Sequence, residues 1–143
     1  MSRITIETLR KDEEIGVYLK CSTEYLGTLG FTEHGKRHVS IVARRARNVL
    51  KDLDFSERDC ELAEIAGYLH DIANMINRFN HGGMGAVMAY NILSRLKMPP
   101  EEIALVISAI GNHEEERGNA VNHVASALIL ADKSDVHRTR VTN

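Results

Sequence analysis

At 143 residues the chain has the length of a single domain, since domains run to roughly 100–200 residues. A hydrophobic fraction of 43% against 27% charged is enough for an ordinary core without disulfide staples. Eighteen Lys+Arg against twenty Asp+Glu leave a net charge of −2, which excludes a general nucleic-acid coat. Apolar runs such as 103–107 and 127–131 stop at five residues, far short of the roughly 18 a membrane span needs. Charges from Arg3 through Glu14 interrupt any signal-peptide core. Cys21 and Cys60 stand in no metal-finger spacing and suit buried thiols of a reducing, cytoplasmic compartment.

Apolar spacing is helical almost throughout. The pattern predicts a first helix near 8–28, ending at Gly27–Gly30, and a second near 34–53 with a stripe of Val39, Val42, Ala46, Val49, Leu50 and Leu53. Ser56 with Asp59 marks the start of a third helix, about 57–74. Asn80 is placed to cap a fourth, about 81–97. Pro100, Glu101 and Glu102 open a fifth that ends near 111–113, because proline is tolerated in the first turn and acids suit the positive end. Asn122 is placed to cap a sixth, about 123–138, whose inward face includes Val121, Val124, Ala125 and Leu128. The expected architecture is therefore all-α, a bundle of about six helices.

Several polar residues fall on or beside these apolar faces: His38 on the second helix, His70 on the third, His81 on the fourth, His113 on the fifth and Asp132 at the centre of the sixth. A lone histidine there is more often a hydrogen-bonded core residue. An inward aspartate is costly unless paired or bound to metal, and Lys133 points about 100° away from it around the helix. Imidazoles and carboxylates converging from five helices are the donor set of a transition-metal site. Asp71 falls outside the inward face by the period of its helix, so it joins the set only if that helix bends. HGGMGA at 81–86 lacks the lysine and spacing of a P-loop and reads as close backbone packing at a helix start.

In order along the chain, His38, His70-Asp71 and Asp132 resemble the H…HD…D signature of the HD-domain metal-dependent phosphohydrolases. His81 and His113 are similar to the further members of the six-ligand subset, H…HD…H…H…D. The likeness covers about 32–140, within one domain of 1–143, and relatives often continue past the last aspartate, which leaves open a core domain or a shortened chain. Asn112-His113-Glu114 is similar in part to the HHE segment of the HD-GYP branch, but Asn112 replaces its first histidine and Gly118-Asn119-Ala120 replaces GYP.

The resemblance implies an HD-type helical bundle that holds two divalent transition metals, iron or manganese. His38, His70, Asp71 and Asp132 would hold the first, and Asp71 would bridge to a second held by His81 and His113. It implies a phosphohydrolase that cleaves a phosphomonoester, phosphodiester or phosphoanhydride bond of a small nucleotide through a metal-activated hydroxide, with Asp71 and Lys133 as catalytic residues. Lys133, Arg37, His34 and Arg138 are the candidates for substrate contact, each competing with an ordinary solvated role. Two other functions fit the same ligands: a di-iron oxygenase, and a nucleotide-binding regulatory module without turnover. The expected partner is a small phosphorylated molecule, with no membrane and no general nucleic acid; assembly into a homo-oligomer is left open.

Overall fold

A computed structural model of the chain describes residues 3–30, 35–114 and 116–135. Among the described residues there are seven α-helices and no strand. They are α1 (Ile6–Arg10), α2 (Glu13–Thr28), α3 (Lys36–Asp52), α4 (Glu57–Leu69), α5 (His81–Arg95), α6 (Pro100–Gly111) and α7 (His123–Ser134), with a 3-10 turn at Ile72–Met75 between α4 and α5. No helix of these residues is long and apolar enough to cross a membrane.

The additional helix comes from a break in the predicted first one. Thr5 accepts from the Thr8 amide at 3.3 Å in a reciprocal capping box, and Asp12 accepts from the Ile15 amide at 3.1 Å. Two side-chain caps seven residues apart specify two helix starts, so Lys11 closes α1 and Asp12 opens α2. Elsewhere the caps fall where the sequence places them. Ser56 accepts from Asp59 at 3.1 Å and Asn122 from Ala125 at 2.8 Å. Pro100 stands in the first turn of α6, with Glu101 and Glu102 beside it. Asn80 does precede α5, but by a different device: its backbone takes the left-handed conformation (φ +56°) and its side chain makes no cap hydrogen bond.

Helix α4 is the axis of the bundle and packs against α3, α6 and α7. Cys60, Leu62, Ala63, Ile65, Ala66 and Leu69 are all buried, so apolar residues go nearly all round it, as expected for a helix with no solvent face. Gly67 permits the closest approach to α3, since a Cβ there would lie 2.7 Å from the Ala43 Cα. This contact brings the His38 end of α3 against the C-terminal end of α4.

Two helices end several residues earlier than predicted. The third helix stops at Leu69 instead of running to 74. The sixth stops at Ser134, with Asp135 extended, and residues 136–138 lie outside the described residues. Leu53 and Val121 are exposed instead of inward, because α3 ends at Asp52 and α7 begins only after the Asn122 cap. The stripes between those ends do face the core: Val39, Val42, Ala46 and Leu50 of α3, Ile103, Val106, Ala109 and Ile110 of α6, and Val124, Ala125 and Leu128 of α7 are buried.

Candidate metal centre

The end of α4 builds the centre of the site. His70 follows the last residue of the helix and keeps helical dihedrals, whereas Asp71 leaves them (φ −104°, ψ 10°) and the chain tightens into the 3-10 turn. This change of path swings Asp71 inward to 3% exposure, which helical periodicity alone does not allow. The other contributors are His38 in the first turn of α3, His81 as the first residue of α5, His113 just past the end of α6, and Asp132 in the last turn of α7. All four histidines are buried. The Asp132 side chain is 21% exposed and opens to the outside.

The histidines share one orientation. His70 Nδ1 lies 2.7 Å from the Gly67 carbonyl oxygen, His81 Nδ1 3.0 Å from that of Arg78, and His113 Nδ1 2.6 Å from that of Ile110. A carbonyl oxygen can only accept, so each Nδ1 carries the proton and donates it to the carbonyl three residues earlier. For His70 and His113 these are last-turn carbonyls that a helix end leaves without an intrahelical donor. His38 Nδ1 lies 2.8 Å from Asp135 Oδ2, which also accepts from Arg37 Nη2 at 2.9 Å. In the neutral imidazoles every Nε2 then presents a lone pair to the centre.

These Nε2 atoms sort into two pairs around one carboxylate. His38 and His70 stand 3.2 Å apart at Nε2 and lie 3.5 and 3.4 Å from Asp71 Oδ2. Asp132 Oδ1 joins them, 3.1 Å from His38 Nε2 and 3.6 Å from His70 Nε2. His81 and His113 stand 3.0 Å apart at Nε2 and lie 3.3 and 3.8 Å from the other oxygen, Asp71 Oδ1. Lone pairs facing one another at such distances repel unless a cation or proton lies between them. Burial alone would depress the His70 imidazole, yet the Asp71 and Asp132 carboxylates override it and hold His70 up to about 9. Burial alone would raise the Asp132 carboxyl, yet the His38 and His70 rings beside it hold it well below the carboxylate range. The centre therefore attracts positive charge, and three overlapping groups of its atoms, His38–His70–Asp71, His70–His113–Asp132 and Asp71–His81–His113, have ligand atoms within 4.8 Å of one another. The residues fit divalent metal of the imidazole-and-carboxylate class.

Two contacts that the sequence analysis did not single out support this set. Glu114 Oε1 accepts from the Gly82 amide at 2.7 Å and supplies the α5 cap that Asn80 does not make. Its carboxylate ties the start of α5, with His81, to the end of α6, with His113. A Cβ on Gly82 would meet Glu114 Oε1 at 2.8 Å, so the glycine is there for close packing. Arg78, whose carbonyl orients His81, also places Nη1 3.7 Å from Asp71 Oδ1 and 3.1 Å from Asn74 Oδ1. The charge on a loop between two ligand residues was the available sign for Arg78.

A cavity of about 590 Å³ opens over this centre, lined by His81, His113, Asp132, Lys133, Arg78 and Glu114, with Glu116 beside them. Lys133 thus faces the same space as the cluster. Arg37 is not among the lining residues and lies on Asp135. His34 and Arg138 lie outside the described residues. A second cavity of about 670 Å³, lined by residues of α2, α3 and α4, also reaches Asp71.

The HD domain family model matches residues 35–136 of the chain, which includes all six clustered residues. The chain belongs to the HD domain family. This HD domain is 29% identical to MJ1020, an uncharacterized protein of Methanocaldococcus jannaschii, over 96% of its own length and 61% of the relative's, so it spans about three-fifths of that protein. Its fold is shared with a crystal structure called a predicted HD superfamily hydrolase, from an uncultured Thermotogales bacterium. That match has a TM-score of 0.63 and 21% sequence identity, and it covers 89% of this chain and 71% of the other.

Proposed function

We propose that this HD domain is a metal-dependent phosphohydrolase of a small nucleotide-type substrate, working with two divalent cations, iron or manganese. The observation that carries the reading is Asp71, whose two carboxylate oxygens each face a different histidine pair. His38, His70, Asp71 and Asp132 would hold one cation, and Asp71, His81 and His113 would hold the other. When bound, such a pair lowers the pKa of water and offsets phosphoryl charge.

The chain's own groups do the rest. The Gly67, Arg78 and Ile110 carbonyls and the Asp135 carboxylate keep the Nδ1 protons in place, so the Nε2 atoms stay directed inward. Lys133 at the cavity offers a cation to non-bridging phosphoryl oxygens. Hydrolysis breaks the bond from phosphorus to the leaving oxygen, forms one from phosphorus to water oxygen, and leaves a proton on the departing group.

The test is elemental analysis of the purified protein followed by phosphate release from a panel of nucleoside mono-, di- and triphosphates and cyclic dinucleotides with Mn²⁺. Release that disappears with chelator and in Asp71→Ala is the expected result. Dioxygen consumption on an organic substrate without phosphate release would identify an oxygenase instead. A nucleotide retained unchanged over days would identify a binding module.

A further inference from the structure

We propose that Arg78 is a substrate-binding residue of this centre, its guanidinium gripping the terminal phosphate that Lys133 also contacts. The proposal rests on the phosphohydrolase reading and adds a residue to it. Arg78 and Lys133 are the two cations among the described residues that line the cavity over the His/Asp cluster. Other arginines are placed elsewhere: Arg58 on Glu61 and Glu102, Arg95 on Asp12 and Glu14, Arg37 on Asp135, and Arg117 over the Phe79 ring.

Position and anchoring suit the task. The Arg78 backbone is fixed in register with the centre, since its carbonyl accepts from both the amide and Nδ1 of His81. Its head is steadied by the buried Asn74, with Nη1 3.1 Å from Oδ1. The side chain is one-third exposed, and Nη1 is 3.7 Å from Asp71 Oδ1, the oxygen facing His81 and His113. A guanidinium there lies within reach of an anion bound over that half of the site. Its planar fork of five donors matches two phosphate oxygens, whereas Lys133 on α7 supplies a point charge.

Arg78 would have a merely structural role if it served to hold Asp71, and that role predicts a different result. The experiment is calorimetric titration of inorganic phosphate into Mn²⁺-loaded wild type, Arg78→Gln and Arg78→Lys, with metal content and melting temperature measured on the same samples. The expected outcome is unchanged metal content and melting temperature in Arg78→Gln with phosphate affinity lower by about tenfold or more, and partial recovery in Arg78→Lys, which keeps the charge and loses the fork. On a turned-over phosphate ester the loss should appear in KM as well as in kcat/KM. Equal phosphate affinity in wild type and Arg78→Gln would overturn the proposal, and so would loss of metal from Arg78→Gln, which would make Arg78 a support for Asp71. A wild type that holds metal but binds no phosphate would overturn the phosphohydrolase reading itself, a result the first two cannot produce.

Discussion

Helix α4 carries a polar cluster at each end, partly buried at the N-terminal end and buried at the C-terminal end, and the two are built on opposite principles. Near its N-terminus, Arg58 donates to both Glu102 oxygens at 2.6 and 2.7 Å, to Glu61 at 2.8 Å and to the Ile4 carbonyl at 2.7 Å, and Arg3 adds a further contact to Glu61 at 3.4 Å. Donors and acceptors balance there, so the charges are satisfied within the chain. At the C-terminus, four imidazole nitrogens and two carboxylates turn acceptor atoms toward one centre, with their donor hydrogens directed away. Packed polar groups are common to both ends; what separates them is how far the chain's own cations balance the acceptors, since at the C-terminal end only Arg78, at 3.7 Å from Asp71, approaches a cluster of imidazoles and carboxylates. An acceptor-only cluster is complete when a cation enters it, and that distinguishes a candidate metal centre from a structural salt-bridge network.

The sharpest way to break this contrast is Asp71→Asn. If Asp71 serves both histidine pairs as proposed, bound metal should fall from about two ions per chain toward none and turnover by more than about a hundredfold. Full metal content in Asp71→Asn would mean the two pairs do not share it.

Chelation should come next. A ligand bound only by the native state at a thousandfold excess over its Kd adds about 4 kcal/mol, so stripping metal should lower the melting temperature on the order of 10 °C. Asp132→Asn should lose most of that response. The stripped protein should also show a pH signature. His70 is held up to about 9, above its ordinary value of 6.5, so its protonation stabilises the folded state fully below about 6.5, and that contribution is lost as pH rises through about 9. Metal takes the proton's place, so the gap in melting temperature between loaded and stripped protein should widen from pH 6.5 to 9. A gap that narrows with rising pH would place the bound metal away from His70.

The other end of α4 should respond in the reverse manner. Arg58→Met leaves Glu61 buried without its closest cation and should cost about 3 kcal/mol of stability, while metal content in the folded fraction stays at wild type. Loss of metal in well-folded Arg58→Met would show that the two ends are not independent. The smallest effect is expected from Glu114→Ala, which removes the α5 cap and loosens His81 against His113. Affinity for the second metal should fall about tenfold with the first unaffected. Glu114→Gln keeps an acceptor for the Gly82 amide and should fall less.

Much of this arrangement was legible from the sequence because it obeys helical periodicity. His38, His81, His113 and Asp132 sit on or beside apolar stripes, and the structure brings them together. Asp71 was legible only through its place after His70 in the HD pair, since its inward turn depends on the helix stopping at Leu69 and the 3-10 turn that follows. Contacts made across long stretches of chain left less of a sign, although the inward register of Asp135 pointed to orienting a ligand or pairing with Lys or Arg. Asp135 reaches His38 from 97 positions away, Glu114 reaches the Gly82 amide from 32, and Arg37 is taken up by that same Asp135. The break at Lys11–Asp12 did leave a sign, the paired Thr5 and Asp12 caps, which a continuous apolar period overrode. Asn80 shows the converse: a capping residue type in the right place that works through its left-handed backbone instead of its side chain.

On the proposed function, Asp71 would serve two cations, one through each carboxylate oxygen. Anomalous diffraction at the manganese edge from crystals of the Mn²⁺-loaded protein tests it most directly. The account predicts two peaks about 3.5–4 Å apart, one beside His38, His70 and Asp132 and one beside His81 and His113, with Asp71 reaching both. A single peak held by all four histidines, or metal bound with Asp71 outside its coordination, would contradict it.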